Sequence, residues 1–219
     1  MVVETVLSGL LFWFIIITNI ASGRFGYETF SDLNSEAQLQ KINNYPKKFK
    51  ISFVLILAEH IGIVALALML FFAFNSYSLL LAAVWTIFRV TEGLIQIQNK
   101  KSYWGLLNMA KRYSVTSDTE KKALIYLGRV ILRTKNSVFK FAQIFFSIGT
   151  LAYSILFVTY GVVPEIIGWF GIIASIIYCL GNIVTLGKPN FKTLWSIGGL
   201  LILLFEIILG SWLILSPFI

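Results

Sequence analysis

Six apolar runs, each long enough to cross a bilayer as an α-helix, constrain the fold of this chain more than any other feature. They cover about residues 3–22, 49–74, 79–98, 138–160, 165–186 and 194–215. A helix advances about 1.5 Å per residue, so about twenty apolar residues span the hydrocarbon core. Only 13% of the residues are charged, about half the share of a soluble domain. We therefore expect one all-α transmembrane domain over residues 1–219, folded as a bundle of six spanning helices.

The basic residues predict how the bundle is oriented. Of the 18 Lys and Arg, all but Arg89 lie in or beside the segments that join spans one to two, three to four, and five to six. The two other connections and both termini carry none. Because Lys and Arg accumulate in cytoplasmic loops, the pattern predicts a multi-pass protein of the plasma membrane. The basic segments would be cytoplasmic and both termini outside.

The longest polar segment, about residues 102–134, is amphipathic. Residues 103–113 and 117–133 each set apolar against basic side chains at helical spacing, and Ser117-Asp118-Thr119-Glu120 is typical of a capping box. We expect one or two helices at the membrane surface here, with residues 100–140 facing anionic lipid headgroups. Docking of a membrane-complex subunit is the alternative. Nucleic acid is not expected as a partner, because the aromatic residues lie on the apolar face.

Five ionisable side chains interrupt the apolar spans two, three and six: Glu59, His60, Arg89, Glu92 and Glu206. A charge near the bilayer centre costs roughly 2.5–3.5 kcal/mol, so such residues usually face the bundle interior and have partners. Counting residues from the span ends places this polar cluster in the cytoplasmic half of the membrane. Four uncharged candidates share that depth: Gln96, Gln143, Tyr178 and Asn182. We expect one polar pocket that is open to the cytoplasm and closed to the outside.

Charge counting within this cluster gives two further expectations. Three carboxylates and one guanidinium would carry a net charge of −2 with neutral His60, which is unfavourable in a low dielectric. At least one of the three glutamates should therefore hold a proton, or a bound cation should compensate. Arg89 should contact Glu92 and at least one of Glu59 or Glu206. The cluster could serve only to fix helix packing, since ion pairs can specify structure without chemistry.

Sequence motifs of common enzymes are absent, including HExxH, the nucleophile elbow and the phosphate-binding loops. Neighbouring helical residues point about 100° apart, which weakens a metal site at Glu59 and His60. We predict no cofactor and leave the metal open. Three functions remain. The first is a non-enzymatic protein, either an accessory subunit of a membrane complex or a bundle that binds a small ligand or lipid. The second is a proton- or cation-coupled transporter that uses the Glu/Arg cluster. The third is an intramembrane metalloenzyme.

Four short motifs resemble a bacterial and archaeal membrane family catalogued as domain of unknown function 4386. They are Ile-Asn-Asn at 42–44, Phe-Arg-Val-Thr-Glu at 88–92, Pro-Glu-Ile-Ile-Gly at 164–168, and Glu206 with Trp212-Leu213. The resemblance implies a prokaryotic six-helix integral membrane protein and supplies no reaction. It is closest at Arg89, Glu92, Glu206 and Trp212. The basic segment around Lys121 departs from the family pattern, which could mark a specific partner.

Overall fold

The computed structural model describes residues 2–31, 33–188 and 191–216, and these residues form eight α-helices without any strand. The helices are α1 (Val2–Arg24), α2 (Ser35–Asn44), α3 (Pro46–Phe74), α4 (Leu79–Trp104), α5 (Leu106–Tyr113), α6 (Asp118–Tyr160), α7 (Glu165–Gly187) and α8 (Thr193–Leu215). Six of them, α1, α3, α4, α6, α7 and α8, are the spans that the apolar runs predict. The all-α, six-span fold is therefore confirmed.

The six long helices form a closed ring. Each packs against the next in chain order, from α1 to α3, α4, α6, α7 and α8, and α8 returns to pack on α1. In this order α6 lies opposite α1, and α8 lies opposite α4. Side chains on the inner faces of all six helices therefore point toward one central space.

Glycines let two neighbouring pairs of helices approach closely. A Cβ atom added at Gly9 of α1 would lie 2.6 Å from the carbonyl oxygen of Gly210 in α8. One added at Gly198 of α8 would lie 2.6 Å from the Cα atom of Tyr178 in α7. Small residues at such crossings are how membrane helices gain contact area, because lipid supplies no hydrophobic force between them. Gly199 is different, since an added Cβ would have only an ordinary contact at 3.6 Å.

One end of the ring carries a second apolar layer, built from α2, α5 and the first half of α6. Its buried residues are Tyr27, Leu39, Ile42, Phe49, Ile56, Tyr103, Leu106, Leu107, Ala110, Leu124 and Leu132. We call this end of the molecule the capped end. All the Lys- and Arg-bearing connections lie at this end, because the spans alternate in direction.

Helix α6 differs from the expected surface helix. It runs unbroken for 43 residues, about 65 Å at 1.5 Å per residue, so about half extends beyond a 30 Å hydrocarbon core. Leu124 and Leu132 of this extension are buried in the apolar layer, whereas Leu127 and Val130 are exposed. The apolar residues of segment 117–133 thus pack partly on α2 and α5.

The predicted capping box begins the helix but forms other bonds. Ser117 is the N-cap residue of α6, yet its side chain makes no capping hydrogen bond. The Glu120 carboxylate instead accepts from the Thr116 hydroxyl and pairs with Arg112. These contacts tie the start of α6 to the end of α5. The predicted capping box therefore connects α5 to α6 through Glu120.

Residues 25–31, which we call the cap segment, cross the capped end from α1 to the opposite helix α6. The Ser31 backbone N–H donates to Asn136 Oδ1 at 3.0 Å, and Asn136 Nδ2 donates to the Ser31 carbonyl at 2.8 Å. The Lys135 ammonium donates to the carbonyl of Glu28 at 2.6 Å and to Ser31 Oγ at 2.7 Å. We call these hydrogen bonds of Lys135 and Asn136 the polar clamp, and they hold the cap segment over the end of the ring.

Candidate functional site

The centre of the ring holds a cavity of about 290 Å³ to which all six long helices contribute. Eight of the nine predicted polar residues line it: Glu59, His60, Arg89, Glu92, Gln96, Gln143, Tyr178 and Glu206. Each of these eight is buried. The ring explains why they meet, because residues from distant spans face inward at the same depth.

Asn182 is the predicted residue that does not line this cavity. It lies one turn beyond Tyr178 on α7, and its Nδ2 donates to the Tyr178 carbonyl at 2.8 Å. Counting depth along the spans places Asn182 near the cluster, but its side chain bonds back to its own helix. Depth alone does not determine which way a side chain points.

Arg89 and Glu92 form a buried ion pair on α4. Arg89 Nη1 lies 2.7 Å from Glu92 Oε2, and the side chains are 3% and 1% exposed. The Arg89 guanidinium carbon also lies 4.3 Å from the centroid of the Phe146 ring in α6, a cation–π contact. The predicted contact between Arg89 and Glu92 is confirmed.

The other half of that prediction is met only in part: in the described part of the chain Arg89 makes no hydrogen bond or ion pair with Glu59 or Glu206, but it attracts the Glu206 carboxylate electrostatically. Glu206 lies on α8, which faces α4 across the ring, and the Arg89 and Glu206 side chains both line the cavity. Glu59 on α3 accepts a hydrogen bond from Asn19 Nδ2 at 3.0 Å instead. The carboxylates therefore occupy different walls of one cavity.

His60 and Gln96 add neutral polar groups to the same wall region. His60 Nδ1 lies 2.5 Å from the Ile56 carbonyl, which in the neutral ring assigns the proton to Nδ1 and leaves Nε2 as an acceptor. The Gln96 amide lies close to His60, yet neither its nitrogen nor its oxygen makes a hydrogen bond of normal geometry. Leaving buried polar groups unpaired costs about 1–3 kcal/mol each. Gln96 thus interacts weakly with His60 and keeps further hydrogen-bonding capacity at the cavity wall.

Lys100 is a buried cation that the charge count missed. It is 1% exposed, and its ammonium donates to the Tyr27 hydroxyl at 2.7 Å and lies 5.1 Å from the centroid of that ring. Burial raises the pKa of Tyr27 well above its usual range, so the phenol keeps its proton. Lys100 also attracts the Glu59 carboxylate electrostatically. The spacing of Glu92, Gln96 and Lys100, four residues apart, was the signal that places Lys100 on the inner face of α4.

Metal-ligating side chains are not grouped in the described residues, where no set of three or more His, Cys, Asp or Glu is placed to hold an ion. Glu59 and His60 lie beside each other on α3, whereas Glu92 and Glu206 come from other walls of the cavity. The arrangement offers dispersed hydrogen-bonding and charged groups around a space of ligand size.

Gly149 of α6 is predicted to be necessary for the position of Arg89. A Cβ at this position would lie 2.7 Å from Arg89 Cγ and 3.3 Å from the Trp85 carbonyl oxygen. We expect Gly149→Ala to destabilise the protein by about 1–3 kcal/mol through overpacking, measured as the free energy of unfolding in mixed micelles. Gly23→Ala is the matched control, because an added Cβ there meets no atom within 4 Å. Equal stability of the two variants would contradict the prediction.

Together the ring and its interior define the class of protein: a multi-pass, all-α membrane protein with a polar, buried central cavity. Comparison with family models then gives a more particular result. The chain belongs to the family described as "Domain of unknown function (DUF4386)", whose model matches residues 7–216. Comparisons with curated proteins and with solved structures found no significant match. The family membership expected from the motifs is confirmed, and the family description names no activity.

Proposed function

We propose that this protein binds a small ligand in its central cavity, as a non-enzymatic membrane protein. The observation that carries the proposal is the cavity of about 290 Å³, whose wall brings Arg89, Glu92 and Glu206 together with the buried amide of Gln96. Charged and hydrogen-bonding side chains that converge on a buried space of this size are typical of a ligand site. Around it stand both acceptors and a cation, which suits a ligand with several hydrogen-bonding groups.

The orientation and setting of the protein belong to the same proposal. All the basic connections lie at the capped end, and the positive-inside rule would place that end in the cytoplasm of a prokaryotic cell. Exposed basic residues of α6, among them Lys122, Arg129 and Arg133, would then lie near anionic headgroups or a partner subunit. The cap segment would face the cytoplasm.

Replacing Gln96 with leucine tests the proposal. We expect Gln96→Leu to reduce the amount of small molecule that stays bound through purification about tenfold, since a lost hydrogen bond of about 1.4 kcal/mol changes affinity tenfold. The measurement is native mass spectrometry of the protein released from mild detergent. The free energy of unfolding of the ligand-free protein should fall by no more than about 1.5 kcal/mol, because the variant removes at most the hydrogen bond between Gln96 and His60.

Glu165→Gln is the control, because Glu165 is an exposed acid at the start of α7. Its bound small molecule should match the wild type. If the wild-type protein retains no small molecule, or if Gln96→Leu retains as much as the control, the cavity is not a ligand site.

A second candidate is a proton- or cation-coupled transporter, favoured by the presence of Glu59, Glu92 and Glu206 on one cavity. Transport would require the cap segment to move, because it crosses one end of the ring. Ion-dependent flux in proteoliposomes, compared between wild type and Glu206→Gln, distinguishes transport from binding alone. Flux that is lost in the variant would favour the transporter.

A further inference from the structure

The route into the cavity follows from how its ends are covered in the described residues. At the capped end the cap segment crosses the ring, and Thr29 of that segment lines the cavity. Toward the other end lies a core of large side chains, including Phe12, Trp85 and Phe205, each at most 1% exposed. Both ends of the ring are therefore covered by described residues, which differs from the pocket open to the cytoplasm that we expect from the sequence, and a ligand needs a side opening.

The side opening lies between α1 and α8. These helices touch at Gly9 and Gly210. Eleven residues closer to the capped end, about 16 Å along each helix, Ile20 of α1 and Gly199 of α8 line the cavity instead. The pair is thus in contact at one end and separated by the cavity at the other.

The rim of this opening is exposed and apolar. Ile20 is 54% exposed and Leu203 is 39% exposed, yet both also line the cavity. A side chain that meets both the interior space and the outer surface marks where that space reaches the surface. Because α1 and α8 are both spans, this surface faces lipid. The two side chains therefore give the rim an apolar surface that suits a hydrocarbon chain.

The charges on the cavity wall determine which polar headgroup of an amphiphilic ligand can bind there. The three acids Glu59, Glu92 and Glu206 line the cavity and outnumber the two cations nearby, since Arg89 also lines it and Lys100 only attracts Glu59 from outside the lining. An anionic head would add negative charge to a buried set that already has more acids than bases, which is unfavourable. Hydroxyl or ammonium groups instead donate to carboxylates. The volume of about 290 Å³ is at the lower end of the range for ligand pockets, enough for a head and part of one chain.

We propose that the ligand is a single-chain amphiphile with an uncharged or cationic head, which reaches the cavity sideways from the lipid between α1 and α8. This inference rests on the proposed function and adds the ligand class and the access route. The head contacts the carboxylates and Gln96, and the chain extends past Ile20 and Leu203 into the bilayer.

Photolabelling in proteoliposomes of phosphatidylcholine tests the route. The probe is a monoacylglycerol with a diazirine in its acyl chain. Leu203→Trp and Ile20→Trp narrow the opening, and each is expected to reduce labelling at least fivefold. Leu200→Trp and Ile17→Trp are matched controls, since both residues are exposed on the same helices, at 58% each, and do not line the cavity. The controls should label like the wild type, on peptides from α1 and α8.

The head class is tested with two further probes that carry the same chain. A long-chain amine should label at least as strongly as the monoacylglycerol, and the fatty acid at least tenfold less. Equal labelling of the Leu203→Trp and Leu200→Trp proteins would overturn the side route. Labelling by the fatty acid at the level of the monoacylglycerol would overturn the head class.

The same measurements distinguish a failure of this inference from a failure of the proposed ligand binding. If no amphiphile labels the cavity while Gln96→Leu still loses a co-purified small molecule, this inference fails and ligand binding stands. If no amphiphile labels and Gln96→Leu also loses nothing, both fail. Thermal unfolding of each tryptophan variant within a few degrees of wild type shows that a loss of labelling is not a loss of fold.

Discussion

Replacing Arg89 with methionine is expected to destabilise the protein by about 3–5 kcal/mol, the cost of leaving one partner of a buried ion pair uncompensated. The Glu92 carboxylate, 1% exposed, would lose the guanidinium that now lies 2.7 Å away and would have to carry an unpaired buried charge or bind a proton, and both cost free energy. The contact of Arg89 with the Phe146 ring would be lost as well. The measurement is the free energy of unfolding in mixed micelles, followed by tryptophan fluorescence.

The double variant Arg89→Met with Glu92→Leu separates the loss of the pair from the loss of packing. Apolar residues of similar volume often replace a buried ion pair without net cost. We therefore expect the double variant to recover most of the stability that Arg89→Met loses. A double variant as unstable as the single one would show that the pair is not what Arg89 stabilises.

Lys135→Met is expected to release the cap segment and to destabilise the protein by about 3 kcal/mol or more. The ammonium satisfies two backbone carbonyls, of Glu28 and Thr29, together with Ser31 Oγ. A charged donor contributes about 1.5–3 kcal/mol per hydrogen bond, and buried acceptors left unpaired carry a further cost. Amide hydrogen exchange of residues 25–31 should accelerate at least tenfold, because the segment would open more often.

Lys122→Met is the control for this experiment, since Lys122 is exposed on the same helix. Its effect on stability should stay within about 0.5 kcal/mol, as for most surface substitutions. Unchanged exchange of residues 25–31 in Lys135→Met would mean that Asn136 alone holds the cap segment, and Lys135 would then have no part in the polar clamp.

The spans were predictable because a run of twenty apolar residues can adopt few structures inside a bilayer. In lipid every backbone N–H and C=O must bond within the segment, which leaves the helix. The predicted run 165–186 and the helix Glu165–Gly187 differ by one residue. The cluster was predictable for a related reason, since charged residues in a span must face the interior.

What lies outside the membrane was harder to predict. An amphipathic pattern does not distinguish a helix on lipid from a helix on protein, so the continuity of α6 and its packing on α2 did not follow from residues 117–133. Lys100 looked like the first residue of a cytoplasmic loop, because the apolar run ends before it. The polar clamp at Lys135 joins residues more than one hundred positions apart, beyond any local pattern.

The sequence also could not predict which carboxylate of the polar cluster pairs with Arg89. Charge counting requires that Arg89 be compensated, but it does not say by which carboxylate. The order of helices around the ring decides this, because it leaves Glu206 of α8 with an electrostatic attraction to Arg89, whereas Glu92 on the same helix as Arg89 forms the ion pair. The charge state of the three glutamates stays a prediction: at least one should hold a proton or a bound cation.

An amphiphile whose head occupies the polar cavity and whose chain leaves between α1 and α8 should be visible by electron cryomicroscopy. The sample is the protein in lipid nanodiscs, bound to a rigid antibody fragment that makes so small a particle alignable. We expect elongated density from Gln96 and Glu206 outward past Leu203 to the lipid. A cavity filled by rearranged side chains, or an α1–α8 contact closed along its whole length, would contradict both the ligand class and the route.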